Sequence, residues 1–226
     1  MGTLYLVRHG QASFGEENYD RLSPLGHLQS QRLGAYLRQR LEREGAHIET
    51  VLMGSLRRHR ETWEGIAQGA QWSHEALVWP SLNEYDSHAL IETIHPKPLP
   101  KPDTPELYRQ HFRLLRDGLH AWMSGQTQPA GMPSYLDFMS GIQAALDHVR
   151  QHCSGHVLIV SSGGPISTAV GRILGATHPA VIDLNMRIRN TALTEFTFNP
   201  KRHMLLSYNT VPHLENAEHQ SWITYA

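Results

Sequence analysis

The sequence has a single cysteine, almost no net charge and no long apolar run. With Cys153 as its one thiol, the chain cannot form an internal disulfide and needs no oxidising compartment. A formal net charge of −1 gives no overall field that would attract nucleic acid or an acidic membrane surface. No apolar stretch approaches the roughly 18 residues of a membrane span. These absences predict a cytoplasmic protein with no nucleic-acid partner and no membrane partner.

Metal-binding and export signals are missing as well. The 16 histidines show no His-Glu-x-x-His or similar spacing, so we expect no metal and no other cofactor. The first apolar run follows no basic segment, and we expect it to be a strand instead of a signal peptide. With 226 residues, 40% of them hydrophobic, the chain is long enough to bury a site without disulfides or a structural metal.

Short apolar runs alternate with helical segments along most of the chain. Strands are predicted at 3–7, 48–53, 76–79, 156–161, 191–198 and 204–208. Helices are predicted at 24–44, 56–69, 104–122, 134–152 and 163–174. This alternation predicts an α/β fold, a three-layer sandwich with a mostly parallel central sheet and helices on both faces.

The composition changes near Asp86. From His95 to Pro102, proline alternates with other residues, which forces extended backbone and excludes a helix. We expect residues 86–133 to form a helical and Pro-rich, cap-like insertion over the carboxyl ends of the strands, where ligands bind in such sheets. The whole chain, 1–226, is then a single domain.

Two clusters of polar residues follow predicted strands. Arg8-His9-Gly10 ends the first strand, where glycine admits a ligand to the backbone, arginine offers a fork for phosphate oxygens, and histidine is a nucleophile or proton carrier. The run 57–60, Arg-Arg-His-Arg, opens a helix, and such a helix start with guanidiniums forms an anion site. A solvated charged surface is the alternative for both clusters.

These motifs resemble those of the histidine phosphatase superfamily, the phosphoglycerate-mutase-like proteins. Residues 6–12, Leu-Val-Arg-His-Gly-Gln-Ala, are similar to the superfamily's first strand end. Residues 54–62 fit its Ser-x-Leu-x-Arg-x-x-x-Thr pattern, with Gly54 in place of serine. Leu-Asn-Glu at 82–84 and Leu-Ser-Pro-Leu-Gly at 22–26 also resemble it, so the match spans nearly the whole chain in order.

The resemblance implies roles for individual residues. His9 attacks phosphorus, Arg8 and Arg58 bind the phosphate oxygens, and Glu84 donates a proton to the leaving group. No metal is needed, because the arginines supply the positive charge. Further candidate site residues are Gly10, Arg57 as the neighbour of Arg58, and His88 in the insertion, as a residue that lies over the pocket.

The turn after the strand at 156–161 departs from the superfamily pattern. Ser162 stands where a second pocket histidine is usual, and a serine brings no positive charge. Ser162 and the backbone N–H of Gly163, at a helix start, are expected to contact the phosphate. We expect Ser162→His to keep or raise turnover. A serine-hydrolase elbow is disfavoured, because it needs glycine where Val160 stands.

The resemblance therefore implies a metal-independent phosphomonoester hydrolase that forms a phosphohistidine on His9 and acts on a small phosphorylated substrate. A phosphoglycerate-type mutase is one alternative. A phosphate-ligand binding or regulatory protein, made inactive by Ser162, is another. The sequence leaves the oligomeric state open.

Overall fold

The computed structural model describes residues 1–13, 20–97, 99–100 and 103–225. Six strands and seven α-helices form over these residues. In chain order they are β1 Gly2–Arg8, α1 Pro24–Glu44, β2 Ile48–Met53, α2 Arg57–Ala70, β3 Leu77–Val78, α3 Ser87–Ile94, α4 Pro105–Met123, α5 Tyr135–His152, β4 His156–Ser161, α6 Gly163–Leu174, α7 His178–Met186, β5 Leu193–Asn199 and β6 Arg202–Thr210.

The strands form one sheet in the order β3-β2-β4-β1-β5-β6. The first four are parallel to one another, and β5 and β6 complete the sheet as an antiparallel pair beside β1. Arg8 of β1 lies opposite Ser161 of β4. The segments that follow these two central strands, which begin with His9 and Ser162, therefore leave the sheet side by side.

Helices cover both faces of the sheet, as predicted. Alternate residues of a strand point to opposite faces, so Tyr5 packs with buried residues of α1 and α2, whereas Leu4 packs with those of α3 to α7. Burial on both sides explains why the central strands are apolar without interruption. The α/β fold with a mostly parallel sheet is confirmed.

Several element boundaries were predicted closely. β2 and β4 have the predicted ends, and α1 is capped by Ser23 and terminated by Gly45 at φ +64°. β3 is shorter than predicted. Two short helices, α3 and α7, were not predicted at all. The predicted extended run 95–102 is described only in part, since 98, 101 and 102 lie outside the described residues, as do 14–19 of the loop after β1.

The region predicted to be an insertion contains α3 and α4, which pack against each other. A Cβ atom at Gly118 of α4 would stand 2.9 Å from the carbonyl oxygen of Leu90 in α3, so glycine permits this close approach. Leu90, Leu119 and Trp122 are buried in the same core as α5 to α7. Across the described ranges, no helix combines the length and apolarity needed to cross a membrane.

Candidate active site

His9 lies directly after β1 and is 2% exposed. Its backbone N–H donates to the carbonyl oxygen of Ser161 at 2.9 Å, which ties it to the end of β4. Its ring nitrogen Nδ1 lies 2.7 Å from the carbonyl oxygen of Gly10. A carbonyl only accepts, so Nδ1 carries the proton and a neutral ring keeps its lone pair on Nε2. A nucleophile needs that lone pair.

The surroundings of His9 keep its ring neutral. Burial lowers its pKa well below the ordinary 6.5, and the positive charges of Arg58 and then Arg8 lower it further. The same two guanidiniums act on Glu84, where they oppose the effect of burial. The two guanidiniums thus lie within electrostatic reach of both His9 and Glu84.

Arg8 is fixed by main-chain carbonyl groups from distant parts of the chain. Its Nη1 donates to the carbonyl oxygens of Ile188, at 2.5 Å, and Tyr225, at 2.6 Å. The segment that contains Tyr225 is itself anchored, because Gln29 donates to the carbonyl oxygen of Trp222 at 2.6 Å. No local sequence pattern points to these contacts.

Arg58 lies in the first turn of α2 and is 6% exposed. Its Nη1 donates to Oδ1 of Asp20 at 2.9 Å, and Oδ2 of Asp20 accepts from the backbone N–H of Arg57 at 3.0 Å. The carboxylate of Asp20 therefore both pairs with Arg58 and caps α2 at the helix start where an anion site was predicted.

Glu84 lies on the segment between β3 and α3, and its carboxylate faces the start of α6. Oε1 and Oε2 accept from the backbone N–H of Gly164 at 3.0 and 3.2 Å. Burial raises the pKa of Glu84, as a proton donor requires, although Arg58 and the Gly164 N–H oppose the shift. A Cβ atom at Gly164 would stand 2.2 Å from Oε1, so residue 164 must be glycine for this contact.

Thr62 connects the two arginine-containing segments. Its buried hydroxyl donates to the carbonyl oxygen of Arg58 at 2.7 Å and accepts from the backbone N–H of Gly10 at 3.0 Å. The same Gly10 supplies the carbonyl group that orients His9. Gly10 thus contributes two main-chain hydrogen bonds to the site.

Ser162 is fully buried at the N-terminus of α6 and contacts a second histidine. Its Oγ lies 2.7 Å from Nε2 of His59, and the rings of His59 and His9 have centroids 5.8 Å apart. Gly163 is buried beside Ser162, with a Cβ position 2.5 Å from Oδ1 of Asn185. His59 was not predicted as a site residue, because it lies within the charged run 57–60, for which a solvated surface was the alternative.

The side chain of Arg57 and the backbone of His88 bond to residues outside this cluster. Nε of Arg57 donates to Glu61 at 2.6 Å on the exposed side of α2. His88 is exposed on α3, where its backbone N–H donates to Asp86 at 2.8 Å. Within the described parts of the chain, no group of three or more His, Cys, Asp or Glu residues is arranged to hold a metal ion.

Three buried histidines predict that acid destabilises the fold. Burial lowers the pKa of His9 and of His59 well below 6.5, and that of His213 to about 3. The unfolded chain binds these protons more readily, so the stabilising contribution is complete above pH 6.5 and is lost as pH falls toward the folded-state values. We expect the free energy of unfolding in urea to drop by about 1.4 kcal/mol per pH unit for each ring below about pH 6.

A pair of variants isolates this effect. His213→Gln removes one of the three rings and should reduce the slope of stability against pH by about one proton. His120→Asn changes an exposed histidine and should leave the slope as it is. Equal free energies of unfolding at pH 7 and pH 5 in the unaltered protein would contradict the prediction.

Comparison with known proteins identifies the family of this chain. Residues 4–211 match the family model of the histidine phosphatase superfamily, branch 1. The chain belongs to this superfamily. The resemblance drawn from the motifs is therefore confirmed. Among curated proteins, none matches the sequence significantly.

Several solved enzyme structures share this fold. A phosphoserine phosphatase from Entamoeba histolytica, in complex with 3-phosphoglyceric acid, has a TM-score of 0.65 at 19% identity, covering 95% of this chain and 100% of that one. A phosphoglycerate mutase from Bacillus anthracis has a TM-score of 0.64 at 16% identity, covering 94% of each chain. A mycobacterial glucosyl-3-phosphoglycerate phosphatase complexed with VO3 has a TM-score of 0.62 at 19% identity, covering 93% and 100%. At these identities the similarity shows the fold.

Proposed function

We propose that the protein is a phosphomonoester hydrolase that forms a phosphohistidine on His9. One observation supports this above the others: the hydrogen bond from Nδ1 of His9 to Gly10 keeps Nε2 unprotonated beside the guanidiniums of Arg8 and Arg58. A neutral nucleophile next to two fixed cations suits a dianionic phosphate group.

The first step transfers the phosphoryl group to the enzyme. The lone pair of His9 Nε2 forms the N–P bond while the ester P–O bond breaks, and Arg8 and Arg58 bind the equatorial oxygens. Glu84, whose pKa is raised by burial, gives its proton to the leaving oxygen. The alcohol then leaves as a neutral molecule.

The second step restores the enzyme. Water attacks phosphorus, the N–P bond breaks, and its electron pair returns to Nε2 of His9. Glu84, now ionised, accepts the proton from the attacking water and regains its starting form. No metal enters these steps, because Arg8, Arg58 and the backbone N–H of Gly163 at the start of α6 supply the positive charge.

We propose a small phosphorylated molecule as the substrate. The similar solved structures include two phosphatases and a mutase of small phosphorylated compounds. The region 86–133, with α3 and α4, is our candidate for the part that selects the substrate. It shares a core with α6, whose N-terminus carries Ser162 and Gly163.

The test is trapping of the intermediate together with product analysis. We expect the purified protein to release phosphate from a chromogenic phosphate ester. A rapid quench with a ³²P-labelled ester should leave protein-bound label that is lost in acid and kept in alkali, as a phosphohistidine requires. With 3-phosphoglycerate and a priming bisphosphate, interconversion of the isomers without free phosphate would show a mutase instead. Binding of phosphate without turnover or label would show a ligand-binding protein.

A further inference from the structure

The two departures from the superfamily motifs contact one side chain. Gly54 stands in place of serine and Ser162 in place of histidine, 108 positions apart in the chain. His59 lies between them and is fully buried. Its Nε2 is 2.7 Å from Oγ of Ser162, and its Nδ1 is 2.2 Å from the point where a Cβ atom at residue 54 would stand.

The size of both residues follows from the position of this ring. Any side chain at residue 54 would collide with Nδ1 of His59, and also with Asn83, whose Oδ1 is 2.6 Å from the same Cβ position. Serine at residue 162 is small enough to leave room for the ring, and its hydroxyl is within hydrogen-bonding distance of it. Both departures therefore accommodate one imidazole that enters the site from α2.

The chemistry of the His59 ring suits a neutral hydrogen-bonding role. Burial lowers its pKa well below 6.5 and the charge of Arg58 lowers it further, against a smaller opposing effect of the Gly54 backbone. Its Nδ1 has no hydrogen bond of standard geometry to the described residues. The 2.7 Å contact between Nε2 and Oγ of Ser162 joins the ring to the serine hydroxyl, so the ring fixes where that hydroxyl lies.

We propose that His59 and Ser162 together replace the second pocket histidine of the superfamily, with His59 as a positioning residue that orients the Ser162 hydroxyl toward the bound phosphate. The proposal rests on the function proposed above. The donor that the superfamily takes from the end of β4 is here divided between a hydroxyl at that place and an imidazole from α2.

This arrangement reverses the expectation for Ser162→His. Position 162 is fully buried and its Oγ is in contact with His59, so a second imidazole has no room there. We now expect Ser162→His alone to lower kcat at least tenfold and to lower the melting temperature. In His59→Ala/Ser162→His, the space of the first ring is free, and we expect kcat to recover to within about tenfold of the unaltered protein.

A matched pair of variants separates positioning from packing. His59→Gln places an amide group, which can donate or accept, near the position of Nε2, whereas His59→Leu has a similar volume and no hydrogen-bonding group. We expect His59→Gln to keep kcat within about threefold and His59→Leu to lose on the order of 10–10²-fold, which is less than the loss of a direct donor. Orthovanadate inhibition should weaken in parallel for His59→Leu, while the melting temperatures of the two variants stay close.

A double-variant cycle tests the path through Ser162. If His59 acts through the hydroxyl, His59→Leu/Ser162→Ala should be no slower than Ser162→Ala alone. Fully multiplicative losses, or equal kcat for His59→Gln and His59→Leu, would overturn the proposal while wild-type turnover leaves the proposed function intact. If the unaltered protein has no turnover, the proposed function fails, and the dissociation constants of phosphate for the same variants are measured instead. Weaker phosphate binding by His59→Leu than by His59→Gln supports the His59–Ser162 pair, and equal dissociation constants overturn it.

Discussion

Replacing His9 with asparagine is expected to lower kcat for phosphate-ester hydrolysis by roughly 10⁴-fold or more, by comparison with the loss of a covalent nucleophile in other enzymes. The variant is chosen because an asparagine amide N–H can keep the hydrogen bond that Nδ1 makes to the Gly10 carbonyl oxygen. The replacement removes the part of the imidazole ring that contains Nε2. Steady-state kinetics with a chromogenic ester measure the loss.

Two controls accompany this variant. The ³²P label trapped on the unaltered protein should be absent from His9→Asn, and circular dichroism should show an unchanged fold. His120→Asn makes the same replacement at an exposed position of α4 and should keep full activity. Undiminished turnover in a folded His9→Asn protein would refute the phosphohistidine mechanism and leave the superfamily assignment in place.

Glu84→Gln should slow the enzyme in proportion to how much the leaving group needs a proton. For an alkyl phosphate we expect a loss of roughly 10²–10⁴-fold in kcat/KM, which reports phosphoryl transfer to His9 and not the later attack of water, as is usual for general acid catalysis. For p-nitrophenyl phosphate, whose leaving group departs as a stable anion, we expect kcat/KM to fall only about tenfold or less. The glutamine oxygen still accepts from the Gly164 N–H, so the geometry at the start of α6 is kept.

The pH dependence of turnover gives a second test of Glu84 as the proton donor. Burial raises the pKa of Glu84, so the proton donor is present at low pH and is lost as pH rises through the raised value. Turnover of the alkyl ester should fall as the pH rises through that value in the unaltered protein, and this fall should be absent in Glu84→Gln. Glu64→Gln, at an exposed position of α2, is the matched control and should change neither ester's turnover. Equal losses for the two esters would exclude Glu84 as the acid.

The fold was predictable where the chain marks its own element ends. Ser23, Pro24 and Gly45 mark both ends of α1, and unbroken apolar runs mark β2 and β4. The helices α3 and α7 were missed because eight and nine residues are too few for an amphipathic pattern to repeat. Their caps and an early proline are local signals, but such signals also occur in turns.

The candidate site was predictable for the residues that directly follow strands. Arg8 ends β1, His9 and Ser162 directly follow β1 and β4, and parallel order brings those strand ends together. The partners of the site could not be predicted. Asp20 on Arg58, the Tyr225 carbonyl on Arg8 and His59 on Ser162 join residues 38, 217 and 103 positions apart, and no periodicity or spacing specifies such pairs.

The shared hydroxyl of Thr62 constrains how the site can open. Because it bonds both to Gly10 and to the carbonyl of Arg58, the loop that orients His9 and the start of α2 are coupled into one half of the candidate site. A displacement of either would pull on the other. Entry of the ester and exit of inorganic phosphate are therefore expected to depend on the opposite half, around Glu84 and the turn that meets it, and the turnover number should respond to substitutions there that leave the first half untouched.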